Sequence, residues 1–324
     1  YGVFTPFISM GAITMTTFYM ISGFALYHVY RKQDYSSVSE IKKFYLKRII
    51  GIIPVYYAVC VLFDIYQYRR TPITQLIARL PMDSLGIQSW FTGTFEYGHV
   101  AVTWFISCIM LSYFLFPFLV MIIRQLSIKE KIYLYVIITL VVIYAPFAQH
   151  ALALSSIYSN PLFRLLEFIL GMLLYAIILD KDLKYDSVIS KLRCWPVIAL
   201  EFIIWIVGVT LVIKLGVFSE DCLLYNWLNI PIYTLMFISL SGKNISKNLE
   251  KIKAIPFLAK ISYTFFLAQL FLWSPVKILS QLSGMDSNSA RFILSFALCT
   301  MIAIFLHKVI EVPCKRILTK KIFK

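Results

Sequence analysis

Charge is what this sequence has least of. Only 15% of its 324 residues are Asp, Glu, Lys or Arg, against about 25% in ordinary soluble domains, while 60% are hydrophobic and the mean hydropathy is +0.79. A soluble globular domain is thereby excluded. Acidic residues are the scarcer sign, 16 against 31 Lys and Arg, for a formal net charge of +15. A nucleic-acid binder would gather that excess on one folded face. Here it sits in short islands between apolar runs, so no nucleic acid is expected as a partner. The six cysteines (Cys60, Cys108, Cys194, Cys222, Cys299, Cys314) form no CxxC pair, so neither a zinc site nor a disulfide framework is indicated and they read as small apolar fillers. No HExxH pair, Ser-His-Asp spacing or Gly-rich phosphate loop occurs, and no metal is expected. Without an internal repeat or low-complexity tract, residues 1–324 read as a single integral-membrane domain.

What is present in abundance is apolar sequence in lengths that cross a bilayer, which takes about 20 residues per helix. Nine such spans are read, at 7–30, 49–67, 100–123, 131–147, 162–179, 196–213, 226–241, 256–276 and 291–310. The fold class is therefore all-α, a polytopic transmembrane helix bundle. Alternating sides from span to span, residues 31–48, 124–131, 181–193, 243–260 and 308–324 hold 24 Lys and Arg. The opposite set holds six: Arg69, Arg70, Arg79, Lys214, Lys277 and Arg291. Cytoplasmic loops accumulate positive charge, so this fourfold bias places the C-terminus in the cytoplasm and Tyr1 outside. The expected location is a bacterial plasma membrane, crossed many times. Tyr1 follows no visible signal, and a polytopic chain more often starts inside, so a tenth helix upstream of Tyr1 is expected.

Ionisable residues within apolar runs cost about 2.5–3.5 kcal/mol each on insertion scales, so they mark partners or sites. Arg164 and Glu167 lie three apart on one helix and are expected to pair, either as a structural ion pair or as the polar wall of a substrate cavity. Glu201 and Asp64 lie where each can reach an interface. Lys47 and Arg48 stand at the cytoplasmic mouth of the second span. They read either as ordinary positive-inside anchoring or as the capture point for a phosphorylated donor, since Lys and Arg are the usual phosphate partners. Of the four histidines, His28 and His307 fall near cytoplasmic ends of spans, His99 at an outer end and His150 in an outer loop. Each reads first as interfacial. The outer segment from Ile87 to Tyr97 mixes aromatic and hydrogen-bonding side chains, suited to headgroups and to the faces and edges of a sugar.

The order of local motifs resembles the integral-membrane acyltransferase-3 family. Thr17 through Phe24, with Ser22-Gly23-Phe24, resembles its FFxxSGF helix, and Lys47-Arg48 through Pro54 its RRxxRxxP stretch. Trp104-Phe105-Ile106-Ser107 followed by Tyr113-Phe114-Leu115-Phe116-Pro117 is similar to WxLS…FYLLFP. Glu167 through Met172 resembles EFLLGM, Ile261 through Leu267 resembles ISYxxYL, and Ile310-Glu311-Val312-Pro313 resembles the closing IExP. The resemblance implies ten helices and an O-acyltransferase. It would move an acyl group, usually acetyl from acetyl-CoA, to a hydroxyl of a cell-surface glycan or a lipid-linked sugar. Acyl-CoA is then a substrate, with no bound cofactor implied, and the lipid bilayer is a partner.

The same resemblance places the catalytic histidine on a helix upstream of Tyr1. Within this chain Glu167 and His28 are the catalytic candidates, although His28 follows the SGF motif and does not match the family position. Lys47 and Arg48 are the donor-binding candidates. Trp104, Arg164, Ser262, Tyr263 and Gln269 are the candidates to line the substrate cavity, with Glu167, Ser262 and Tyr263 placed to orient a base or a donor to the oxyanion. Three departures stand out: Gly51 replaces the second arginine of RxxR, Cys108 and Ile109 occupy the stretch where many members carry a carboxylate, and Gln269 replaces a common histidine. A transporter of a small polar solute or lipid-linked glycan, and a noncatalytic scaffold, remain the alternatives.

Overall fold

In the computed structural model, residues 5–67, 72–90, 103–151, 157–178, 186–215, 226–272, 276, 279 and 287–322 are described. The fold is all-helical, with 88% helix and no strand among the described residues. Backbone N–H and C=O groups in hydrocarbon have no water to pair with, so each apolar run closes its own hydrogen bonds as a helix. The helices are α1 (Thr5–Tyr30), α2 (Val38–Gln67), α3 (Ile73–Leu85), α4 (Trp104–Gln125), α5 (Ile128–Ala151), α6 (Pro161–Ile178) and α7 (Asp186–Leu192). They continue with α8 (Trp195–Leu215), α9 (Asn226–Leu240), α10 (Lys243–Lys251), α11 (Ala254–Ala268), α12 (Asn288–Leu306) and α13 (Val312–Ile322). A single π-helical turn, His307–Glu311, joins α12 to α13 without a break.

Most of each apolar run's described part lies on these helices, although the run at 256–276 leaves α11 at Ala268 for a 3-10 turn over Gln269–Phe271. Among the described residues, five helical segments are long and apolar enough to cross a membrane: Val38–Ile65, Trp104–Gln125, Ile128–Gln149, Pro161–Ile178 and Ser289–Ile322. Shorter apolar helices cover Trp195–Leu211, Asn229–Leu240 and Ala254–Ala268. The chain is a multi-pass membrane protein. Two helices overrun their apolar runs by more than ten residues: α2 starts at Val38 instead of 49, and the last helix continues to Ile322 instead of ending at 310. Hydropathy marks only the lipid-embedded part, whereas a helix continues wherever its residues favour it. The 34-residue segment Ser289–Ile322, at about 1.5 Å per residue, far exceeds a hydrocarbon core of about 30 Å. Its lysine-rich end therefore reaches beyond the apolar layer.

The chain divides into two compact units. The first takes Ser36–Tyr113 and Lys253–Lys324. Its core joins Val55, Val59 and Phe63 of α2 to Ile261, Leu267 and Ala268 of α11 and to Cys299, Ala303 and Leu306 of α12. Helix α3 ends at Gly86, whose φ of 64° is left-handed, a conformation that strains other residues, and the turn there is closed by Gly86 and Ile87 N–H groups on the Asp83 and Met82 carbonyls. Tyr56 Oη donates to the Asp83 carbonyl (2.8 Å), and Tyr57 Oη to that of Ser84 (2.6 Å), tying α3 to α2.

The second unit takes Gly2–Tyr35 and Phe114–Ile252. Its central pair is α1 against α6, and two glycines set the approach. A Cβ on Gly23 would collide with the Phe168 carbonyl, and one on Gly171 with the carbonyl of Met20. Without water to drive helices together in lipid, close backbone contact at small residues supplies the packing. The SGF and EFxLGM resemblances thus fall on two helices that face each other. Across the outer faces of α5 and α8, Tyr133, Val136, Ile137, Leu140, Phe202, Ile203 and Val207 are exposed, as lipid-facing residues must be.

Candidate functional site

Within the second unit, Arg164 and Glu167 form the expected pair at one turn's spacing. Arg164 Nη1 donates to both carboxylate oxygens, at 2.9 and 2.8 Å, and both side chains are 0% exposed. Thr16 Oγ1 lies 2.8 Å from Glu167 Oε1 and 3.0 Å from Asn226 Oδ1. Asn226 Nδ2 donates to the same Glu167 oxygen at 3.5 Å. Arg164 Nε donates to the Tyr158 carbonyl (2.7 Å), and its guanidinium stacks over the rings of Tyr158 (4.7 Å) and Tyr19 (5.6 Å). Three helices and a loop are thus joined by one neutral polar knot. Elsewhere in this unit Glu201 is 4% exposed and accepts from Ser239 Oγ at 2.7 Å, so it is turned inward instead of reaching an interface.

His28 also belongs to this unit. It is exposed near the end of α1, its Nδ1 in contact with Tyr175 Oη, while Arg31 donates to its carbonyl and lies over the Tyr175 ring. Its imidazole and the Glu167 carboxylate are not hydrogen-bonded to each other: the Glu167 oxygens are taken by Thr16, Arg164 and Asn226.

The first unit holds the remaining candidates. Arg48 is half-buried, its guanidinium over the rings of Phe44 (5.8 Å) and Tyr113 (6.0 Å), while Lys47 is exposed. Tyr263 Oη donates to the Ile52 carbonyl (3.0 Å), tying α11 to α2 one turn beyond Arg48. Trp104 is buried, with its carbonyl accepting from Ser89 Oγ (3.1 Å). Ser262 and Gln269 are exposed, and the Ser262 hydroxyl donates back to Ala259 in its own helix. Arg48 and the residue that Tyr263 bonds thus lie one turn apart on α2, whereas Arg164 and Glu167 lie in the other unit. Cys108 and Ile109 are fully packed core residues. Of the outer segment, Gln88 and Ser89 are buried against the start of α4, and residues 91–97, like His99, Arg69, Arg70, Lys277 and Cys222, lie outside the described residues. So do the side chains of His150 and Arg79.

A further set of residues gathers at the π turn. Glu311, 5% exposed, sits between His307, whose Nδ1 is 2.7 Å from Oε2, and Lys315, which donates to Oε1. Lys315 also lies along α2: its Cε is 3.9 Å from where a Cβ on Gly51 would stand. His307, Glu311 and Lys315 share one helix face because the helix runs on past 310, where the hydropathy of the sequence ends the span. The approach of Lys315 to Gly51 depends on tertiary packing. Among the described residues no group of three His, Cys, Asp or Glu is arranged to hold a metal.

A carboxylate that fixes an imidazole and a lysine, with an arginine on a neighbouring helix, can hold anions and orient proton acceptors. A sequence model of the acyltransferase-3 family, described as an acyltransferase domain, matches residues 1–308. No curated protein and no solved structure matches the chain. The match covers almost the whole sequence, and the chain belongs to the acyltransferase-3 family.

Proposed function

We propose that this membrane acyltransferase transfers acetyl from acetyl-CoA to a hydroxyl of a cell-surface glycan or its lipid-linked precursor. The hydroxyl oxygen forms the new ester bond to the thioester carbonyl carbon, the C–S bond breaks, and the proton lost by the alcohol leaves with the thiol of coenzyme A. A base placed at the alcohol contributes typically 10²–10⁴-fold to such a step, and donors at the developing oxyanion contribute as much again.

The observation that carries the donor half is Arg48. An arginine serving only as a topological anchor would extend into water, but this one is half-buried and held across two aromatic rings on a membrane helix. Lys47 beside it adds exposed positive charge for a phosphorylated donor. The proposed topology has nine spans with the C-terminus in the cytoplasm of a bacterial plasma membrane. It draws support from the first unit, where Lys315 lies along α2 beside Gly51. The charge count had put the loops carrying Lys315 and Arg48 on the same side. Glu167 reads best as a brace for Arg164, because its oxygens are occupied and it is sealed from substrate. The same burial leaves the pair no exposed surface to offer a transported solute.

Mass spectrometry of surface glycans from cells with and without the gene tests the reading. Loss of acetyl esters in its absence is expected, and an unchanged acetylation pattern overturns it. For the donor half, Arg48→Ala should raise the apparent KM for acetyl-CoA about tenfold, the worth of one charged hydrogen bond, with protein level retained. An unchanged KM removes Arg48 from the donor site.

A further inference from the structure

We infer that Lys315 is the second cation of a phosphate-binding site on the Arg48 face of α2, and that the phosphate it takes is the acyl-CoA donor's; this rests on the donor reading above. Helix α2 runs from a cationic end into apolar sequence, and α12 through α13 runs from apolar sequence to a cationic end. Packed against one another within the first unit, they bring these cationic ends together.

Gly51 stands three residues after Arg48, one turn along the same face. It has no side chain to place there, and the lysine arriving from α13 fills the space, with its Cε 3.9 Å from the missing Cβ. Glu311 holds it there, being nearly fully buried, braced by His307 and bonded to the ammonium of Lys315. The Lys315 side chain is nevertheless 45% exposed against 6% for Glu311, so an anion can reach the lysine while the carboxylate stays covered. An arginine fork and a lysine point charge one turn apart suit two linked or neighbouring phosphate groups better than a single carboxylate.

Two sources of phosphate reach such a boundary, the coenzyme and an anionic lipid headgroup. The coenzyme is favoured because Arg48 is half-buried across the rings of Phe44 and Tyr113 within the packed unit instead of standing free on its surface.

The test is equilibrium binding of coenzyme A to the purified full chain in zwitterionic nanodiscs. Lys315→Ala should weaken binding about tenfold, and less so at high salt. Lys315→Met keeps the packed stem without the charge and should do the same, covering the case in which the alanine variant folds poorly. Adding Gly51→Arg to Lys315→Ala should recover most of the loss. A Cβ at position 51 is in ordinary contact only with the lysine carbon that the second change removes. A lysine with a merely structural role would show no such recovery. Normal binding by Lys315→Met alongside weak binding by Arg48→Ala overturns the role of Lys315 alone. Normal binding by both variants overturns the donor reading itself. If Lys315→Met changes only the retention of phosphatidylglycerol in mixed-lipid nanodiscs, the phosphate is the headgroup's and the assignment to the donor falls.

Discussion

The two units each contain a glutamate paired with a cation on its own helix, and the pairs behave oppositely. Glu167 and Arg164 are both fully buried, with Thr16, Asn226 and Tyr158 also bonded to them. Glu311 is almost as buried, but its partner Lys315 is half in the open and His307 partly so. Removing a charge from a sealed pair leaves the other ion stranded in low dielectric, whereas an exposed partner falls back on water. A carboxylate paired with a cation therefore makes a brace in one unit and, in the proposed reading, an exchangeable anion site in the other.

The contrast breaks most visibly at Glu167. Glu167→Gln should cost about 3–5 kcal/mol, because Arg164 stays charged with no compensating carboxylate, and the purified protein should lose most of its thermal stability or fail to accumulate. Combining it with Arg164→Met should recover much of that loss. If the single variant melts like the parent, the brace is not what holds α1, α6 and α9 together. Thr16→Ala comes next, at about 1–2 kcal/mol for a buried hydroxyl lost from between Glu167 and Asn226, read as a lower melting temperature with unchanged KM for acetyl-CoA. Glu311→Gln should cost about 1 kcal/mol or less, since Lys315 is exposed, and should be felt mainly as weaker donor binding because the lysine is no longer held against Gly51. A stability loss as large as that at Glu167 would erase the distinction between the two sites. Ser262→Ala marks the floor: its hydroxyl bonds only within its own exposed turn among the contacts described, so stability should move by less than about 0.5 kcal/mol.

Most of the helical architecture was legible because each run carries its own signal. A stretch such as 131–147 is apolar enough to specify a helix whatever its neighbours are, and α5 is that helix. The Arg164 and Glu167 pair was legible for a similar reason, since three residues on one helix are neighbours by geometry. The partners that complete it were not, because Thr16 and Asn226 lie 151 and 59 residues from Glu167 and nothing in their own segments points to it. Arg48 was legible as a donor candidate, and Gly51 as a gap beside it. That Lys315 fills the gap depends on how α13 lies on α2. His307 looked like an interfacial histidine until Glu311 was seen to be buried beside it.

The amino-acid order alone determined that this chain lives in a membrane, where its helices run and on which ends its positive charge collects. Those properties come from transfer free energies and backbone hydrogen bonding within each segment, and neither needs a partner. Tertiary structure alone decided which faces meet: Gly23 against Phe168, Gly171 against Met20, and Lys315 beside Gly51. Inside a bilayer every apolar face is equally at home against lipid or another helix. Close backbone contact at small residues and hydrogen bonds between distant segments make the choice, and a one-dimensional pattern does not encode either.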